Sequence, residues 1–177
     1  MPHTISSVNN ISDPYSRRIL ANILGKDPLK ICAQTPKTLG RLLRGLSEKQ
    51  LHAHPMKGKW SIVQIVSHLY DAELVVGFRY RMALAEPGSP LPAFDQDKWE
   101  HHLQYESGNC TKKFGLFMLM REDHVSLLRS LPSAKWKRHG MHAGRGKETV
   151  ERMLQLIAGH DVNHVKQVRT IRELVKG

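Results

Sequence analysis

Apolar residues recur at the 3.6-residue period of an α-helix in several long segments, and this pattern constrains the fold more than any other feature. The clearest segment starts at Ser61, which has the spacing of a capping box with Gln64, and its apolar stripe continues to about Glu86. A stripe of this length must be buried against other helices, so the sequence predicts a helix in a shared core.

Three further segments carry the same period, and their proline and N-cap signals mark where helices begin and end. They run from Thr35-Pro36 to about Ser47, from Cys110 to Leu131, and from about Lys147 to Val175. No segment has the alternation typical of a strand. Four amphipathic helices favour an all-α four-helix bundle, and we assign residues 27–177 to it.

The remaining segments are connections and an N-terminal extension. A short extra helix after Asp13-Pro14 falls within residues 1–26, which we treat as the extension. The stretch from Pro87 to about Gly108 is predicted to be a long crossover, with Phe94, Trp99 and Tyr105 as exposed aromatics, and Gly140 to Gly146 to be a glycine-rich turn.

The composition fits one domain that remains in the cytoplasm. The chain has 177 residues, two cysteines and a formal net charge of +11. Two cysteines, Cys32 and Cys110, are too few for a disulfide framework, and we expect both to be small core residues. No apolar run is long enough to span a membrane, and residues 1–10 lack the features of a signal peptide.

Ionisable residues interrupt the apolar stripes of three predicted helices. His160, Asp161 and His164 lie on or beside the stripe of the last helix. His68 and Glu73 do so on the helix that starts at Ser61, and Arg121 does so on the third. Burying such groups alone costs several kcal/mol, so we expect them to be one another's partners.

The histidine spacing predicts a divalent metal site. His160 and His164 are one helical turn apart, and His68 on a facing helix would complete a set of three imidazoles. Three such ligands leave a coordination position for water, as catalytic sites do; zinc is the default metal, with nickel and iron as alternatives. Because the chain has 11 histidines, surface histidines at this spacing by chance are the competing interpretation.

Two other motifs point to different functions. The His160–His164 segment resembles the H-E-x-x-H motif of zinc proteases, but Asp161 replaces the glutamate that acts as general base, so we discount a protease. Residues 124–147 contain six lysines and arginines, no acid, and Trp136. That segment could bind nucleic acid, although a solvated basic loop is the interpretation we favour.

Two segments together resemble the DinB/YfiT-like superfamily. Trp60-Ser61, Gln64 and His68-Leu69 match its W-S-x-x-Q-x-x-x-H-L segment, and His160-Asp161-x-x-His164 matches its closing H-D-x-x-H helix. The resemblance covers about residues 27–174. It implies an up-down-down-up bundle in which His68, His160 and His164 hold a divalent metal, commonly nickel or zinc.

The resemblance also implies a range of activities. Members with known activities are mostly thiol transferases, with some isomerases and hydrolases, and many members are dimers. We therefore expect a metal-dependent thiol transferase or hydrolase that acts on a small molecule, with a low-molecular-weight thiol as a candidate cosubstrate and a homodimer as the assembly. The alternative is a non-catalytic stress-response or binding module whose basic surface meets an anionic partner, although nucleic acid is not the expected one.

The candidates for catalytic roles are Arg121, Glu73 and His142. Arg121 could bind a substrate carboxylate in bidentate fashion, or could instead be buried in a pair with Glu73. His142 in the glycine-rich turn could reach the mouth of the cavity. Asp71 or Asp161 could orient a ligand imidazole.

Overall fold

The protein consists of seven α-helices, two short 3-10 helices and a small three-stranded sheet in a computed structural model that describes residues 3–176. Residues 1 and 2 of the predicted extension and residue 177 of the predicted bundle lie outside that part. The helices are α1 (Pro14–Ala21), α2 (Pro28–Leu43), α3 (Glu48–Leu51), α4 (Ile62–Ala85), α5 (Gln96–His102), α6 (Cys110–Arg129) and α7 (Val150–Lys176). The strands are β1 (Pro90–Leu91), β2 (His139–His142) and β3 (Gly146–Thr149).

Four long helices, α2, α4, α6 and α7, form the bundle, and each packs against two of the others. Helices α4 and α6 are parallel, because Lys113 near the start of α6 lies over the Tyr70 ring and Asp123 further along binds Arg81. This direction requires the long crossover between them.

The contacts of α7 with α2 and with α4 show the relative directions of the remaining helices. Helix α2 runs parallel to α7, since Arg121 joins Cys32 to Asp161, and Arg172 further along α7 bonds the carbonyl of Leu42. Helix α7 runs antiparallel to α4, because Val150 at its start shares an apolar cluster with Tyr80 near the end of α4, whereas Ile171 near its end shares the other cluster with Ile62. The order is therefore up-down-down-up, as predicted. No helix in residues 3–176 is both long and apolar enough to cross a membrane.

The start of α4 follows directly from its sequence. The Ser61 hydroxyl accepts the backbone N–H of Gln64 at 3.4 Å, and the Gln64 side chain accepts the Ser61 N–H at 2.7 Å. Two of the amides left without partners at a helix start are thereby satisfied. The predicted capping box is confirmed, and His68 follows two turns further along α4.

The predicted helix start at Thr35-Pro36 is wrong. Helix α2 begins at Pro28, capped by Asp27, and Pro36 lies inside it. A proline within a helix cannot donate to the carbonyl four residues earlier, here that of Cys32. The Arg121 guanidinium donates to that carbonyl at 3.2 Å instead, so a contact from another helix compensates for the missing bond.

The sheet was not predicted. The glycine-rich turn is a hairpin of antiparallel strands β2 and β3, and β1 from the crossover pairs in parallel with β2. These strands have only two to four residues, too short to show an alternating pattern. Tyr105, expected to be exposed, is buried, because its hydroxyl donates to Asp71 at 2.5 Å and ties the crossover to α4.

A polar layer divides the core into two apolar clusters. Tyr80, Leu128 and Leu154 belong to one cluster, and Leu69 and Phe117 belong to the other. The layer contains buried ionisable residues from α4, α6 and α7, which are His68, Glu73, Arg121, His124, His160, Asp161 and His164. The stripe interruptions in the sequence therefore correspond to one level of the bundle.

Helix α1 packs against α7 at a glycine. A Cβ atom on Gly159 would lie 2.4 Å from the carbonyl oxygen of Ile19, a distance that side chains do not tolerate, and Asn22 donates to the Gly159 carbonyl at 3.3 Å. The close approach buries Ile19 and Leu20 completely or nearly so. Only glycine permits this distance between the two backbones.

We expect Gly159→Ala to lower the free energy of unfolding by about 1–3 kcal/mol, because the added methyl group must displace the α1 backbone. Urea denaturation would measure it. Gly115→Ala is the matched control: it lies within α6 with no atom within 4 Å of its Cβ position, so alanine should stabilise that helix by up to about 1 kcal/mol. Equal effects of the two substitutions would contradict the close packing of α1.

Candidate metal centre

The three histidines singled out from the sequence meet in the polar layer. The Nε2 atom of His160 lies 2.8 Å from that of His68 and 3.1 Å from that of His164. All three side chains are buried. Helix α7 supplies two of them one turn apart, and the antiparallel packing of α4 brings in the third.

Burial keeps these rings neutral. It lowers the pKa of His68 to about 3, with the nearby His164 adding to the effect, and it lowers the pKa of His164 to about 4. Burial and the two neighbouring rings lower the pKa of His160 well below its usual range. Neutral imidazoles are the form that binds metal ions.

The arrangement fits a divalent cation. Nitrogens that are each 2.0–2.1 Å from a tetrahedral zinc ion lie about 3.3 Å apart, close to the observed separations. A proton between the rings can join only two of the three nitrogens, whereas a cation can accept all three lone pairs. Among the residues described, this is the one group of three or more histidine, cysteine or acidic side chains with its ligand atoms this close together.

Hydrogen bonding fixes one ring, and packing helps to hold the others. The Nδ1 atom of His164 donates to Gln167 at 2.7 Å, which leaves its Nε2 atom unprotonated. The Trp60 ring lies 5.1 Å from His68 and stacks at 13° to His164. The Nδ1 atoms of His68 and His160 are buried without a hydrogen-bond partner in the described chain. The sequence analysis missed the role of Gln167, although its position one turn after His164 was a usable signal.

Arg121 is buried in an ion network and does not line the cavity. It donates to Glu73 at 2.7 Å and forms a bidentate pair with Asp161. Burial alone would lower the pKa of Arg121, but Asp161 and Glu73 outweigh it and raise that pKa well above its usual value. At 2% exposure, the guanidinium offers no access to a substrate carboxylate, so the structure favours the buried pair over the substrate-binding role.

Glu73 is part of the same network. Its second carboxylate oxygen accepts from His124 at 2.6 Å. Burial would raise the pKa of Glu73, but Arg121 and His124 lower it to about 2. The carboxylate therefore stays ionised and paired, which gives Glu73 a structural role. The sequence analysis missed His124, whose ring lies against Gly77, where a Cβ atom would be 2.0 Å away.

The two aspartates considered as orienting groups contact other partners. Asp71 accepts the hydroxyl of Tyr105, and Asp161 pairs with Arg121. Neither bonds to a ring of the three histidines. Cys32 and Cys110 are both buried, as expected of small core residues.

A cavity of about 960 Å³ opens beside the three histidines. Its walls come from α1, the loop before α4, one face each of α4 and α7, and the hairpin. His142 lines it from β2, so the structure places this predicted residue in the cavity wall. Arg79 and Arg145, which the sequence analysis did not assign to a site, line the same region.

The basic segment at residues 124–147 is partly used within the fold. Trp136 is 8% exposed and packs against the His3 ring, so it is not available for stacking with a base. Arg138 bonds the carbonyl of Leu84, and Arg145 pairs with Glu148. These contacts leave fewer side chains of the segment available to bind an anionic macromolecule.

We expect Arg121→Gln to lower the free energy of unfolding by about 3–5 kcal/mol, because it leaves two buried carboxylates without a cation. Chemical denaturation monitored by circular dichroism would measure the loss. The control is Arg81→Gln, which breaks an exposed pair with Asp123 and should cost less than about 1 kcal/mol. A loss at Arg121 as small as the control's would show that the network is not a main support of the bundle.

The metal-free protein should lose stability as the pH falls from 6.5 towards 4. The pKa values of His68 and His164 are about 3 and about 4 in the fold, below the ordinary 6.5, so the unfolded chain binds more protons in this range. Each histidine then contributes a slope of about 1.4 kcal/mol per pH unit, and stability is fully present above pH 6.5. Denaturation in EDTA at several pH values would measure the slope, which His68→Gln should reduce. An unchanged slope in that variant would contradict a buried neutral ring.

Comparison with known proteins places these features in a family. The family model of the DinB superfamily matches residues 32–168, which is most of the chain. A protein of Bacillus mycoides (strain KBAB4) is 25% identical over 140 residues, which cover 78% of this chain and 79% of that one. A protein of Oceanobacillus iheyensis is 28% identical over 133 residues, covering 74% and 75%. Both carry the name "putative metal-dependent hydrolase".

A solved structure has the same architecture. YfiT from Bacillus subtilis superposes with a TM-score of 0.78 at 20% identity, over 84% of this chain and 86% of its own. It is described as "a probable metal-dependent hydrolase with an unusual four-helix bundle topology". The fold is thus shared, and from the match to the family model we conclude that this chain belongs to the DinB superfamily.

Proposed function

We propose that this protein is a metal-dependent hydrolase that acts on a small molecule, with His68, His160 and His164 as the ligands of a divalent cation. The convergence of three buried Nε2 atoms beside a cavity of about 960 Å³ is the observation that carries the proposal. The names of the relatives support hydrolysis as the reaction class.

The donor set narrows the choice of metal. Three neutral imidazoles without a thiolate suit zinc, nickel or iron, and zinc is the default for such a set. Three protein ligands leave at least one coordination position for exchange with substrate or water, and the adjoining cavity gives space for it. When bound, the cation would supply Lewis-acid activation of water and of the scissile bond.

The chain's own residues would keep the ligands ready. Gln167 holds the His164 ring with its Nε2 lone pair towards the other two histidines. Trp60 covers the rings of His68 and His164 and limits their contact with bulk water. Arg121 holds Asp161, which lies beside His160 in sequence, and so fixes the rotation of α7 at the site.

Thiol transfer stays a prediction from the family resemblance. The relatives' names mention hydrolysis only. The homodimer also stays a prediction. Hydrolysis of a small molecule is therefore the function we put forward for testing.

We expect the purified protein to bind about one zinc or nickel ion per chain, as measured by elemental analysis after dialysis against the metal. His160→Ala/His164→Ala should abolish this binding while the helical circular dichroism spectrum persists, because the ligands lie in one layer of a larger core. The wild type, but not the variant, should hydrolyse members of a panel of p-nitrophenyl esters and phosphoesters, and EDTA should remove that activity.

The matched control is His101→Ala/His102→Ala, which removes two exposed histidines from α5 outside the cavity. It should retain both the metal and the activity. A folded wild-type protein that takes up neither zinc nor nickel would refute the proposed site. Metal binding without hydrolysis of any substrate in the panel would count against hydrolysis and leave the metal site standing.

A further inference from the structure

The cavity has a second group of polar side chains at some distance from the three histidines. On α4 the cavity-lining face includes His68, Ala72, Val76 and Arg79. The first and last of these lie about 16 Å apart along the helix axis at 1.5 Å per residue. Arg145 and His142 of the hairpin line the cavity together with Arg79.

Arg79 uses only two of its hydrogen-bond donors within residues 3–176. Its Nε and Nη2 atoms donate to the Pro92 carbonyl at 2.9 and 2.5 Å, which places the guanidinium plane on the crossover. Within residues 3–176 it has no carboxylate partner. A guanidinium has five N–H groups, so the Nη1 donors and one on Nη2 remain for another acceptor.

Arg145 supplies a second guanidinium, which pairs with a single carboxylate. It binds Glu148 through Nε and through Nη2, the latter at 3.1 Å, and its Nη1 donors are left over. Glu148 is thus the one carboxylate within residues 3–176 that bonds to either arginine, and several of their N–H donors remain without an acceptor. Partial burial and the charge of Arg145 lower the pKa of Arg79 to about 10, so it remains charged at neutral pH.

His142 supplies a neutral donor beside them. Its Nδ1 atom accepts the backbone N–H of Gly144 at 3.1 Å, so the proton of the neutral ring is on Nε2. Burial, with Arg145 and Arg79, lowers the pKa of His142 and favours this neutral form. The acids whose charges act on His142 are Glu148 and Asp13, and the Asp13 carboxylate caps α1. Two further acids of the cavity wall, Asp95 and Asp97, lie at the start of α5.

We infer that Arg79, Arg145 and His142 bind a carboxylate or phosphate group of the substrate, while its scissile bond lies at the three histidines. The inference rests on the proposed function and names its substrate class, an elongated small molecule with an anionic end. Planar guanidinium groups match both oxyanions in bidentate geometry, and an anion would accept the N–H donors that Arg79 and Arg145 have left over.

The first test does not depend on metal. In the metal-free protein, titration with inorganic phosphate, and separately with acetate, is followed by the ¹H–¹⁵N NMR signals of the arginine Nε–H groups. The signals of Arg79 and Arg145 should shift and saturate together, while that of Arg81, which faces Asp123 on another side of α4, should not. Whichever of phosphate and acetate binds more tightly indicates whether the substrate carries a phosphate or a carboxylate group. Absent shifts, or equal shifts at Arg81, would overturn the inference.

The second test links the two ends of the cavity in the zinc-loaded protein. Calorimetry compares suberic acid monohydroxamate with octanohydroxamic acid, which share a metal-binding group and chain length but differ in a terminal carboxylate. The wild type should bind the carboxylate probe about tenfold more tightly or better, the effect of one charge-assisted hydrogen bond. Equal affinities would overturn the inference while leaving the metal site intact.

Variants test whether Arg79 and Arg145 cause the preference for the carboxylate probe. Arg79→Gln should reduce the preference to about twofold or less without changing the affinity for octanohydroxamic acid, and Arg79→Lys should restore part of it. Arg145→Gln/Glu148→Gln should act similarly and leaves no unpaired buried carboxylate. Arg81→Gln is the matched control and should keep the wild-type preference. Failure of both hydroxamates to bind, with the phosphate shifts intact, would refute an open coordination position on the zinc ion and not the anion site.

Discussion

One guanidinium in the centre of the protein connects all four helices of the bundle. Arg121 on α6 binds Glu73 on α4, Asp161 on α7 and the carbonyl of Cys32 on α2. Such a network is costly to bury and tolerates little displacement, because each charge depends on its partners. It therefore fixes the rotation and axial position of the helices more narrowly than the apolar clusters on either side of it could.

The candidate metal centre depends on that placement. Asp161 faces Arg121 while His160 and His164, on an adjacent face of α7, are directed at His68. Because burial depresses the pKa values of the three rings, the site presents lone pairs rather than charges to the cavity. The ion pairs and the candidate metal ligands thus occupy the same layer of the bundle, with the charged groups on one side and the uncharged rings on the other.

The sequence analysis succeeded where local signals were strong and failed where partners lay on other elements. The capping box at Ser61 and the period of the long helices predicted the bundle, and the two histidine motifs predicted which rings would meet. Pro36 was misinterpreted as a helix start. A proline inside a helix leaves one carbonyl without its usual donor, and here a side chain from α6 donates to that carbonyl instead. The short strands were missed, since two to four residues show no alternating pattern, and β1 pairs with β2 across about 50 residues.

By itself the sequence determined where the long helices form and which polar residues must be buried, because apolar periodicity and capping are local properties of the chain. Only the tertiary structure decided which partner each buried group obtained. Arg121 pairs with Glu73 and Asp161 instead of a substrate. Arg79 and Arg145, from different elements, line the same cavity. The physical reason is that charge pairing and ligand geometry act over a few ångströms, a distance that the sequence does not specify for residues far apart along the chain.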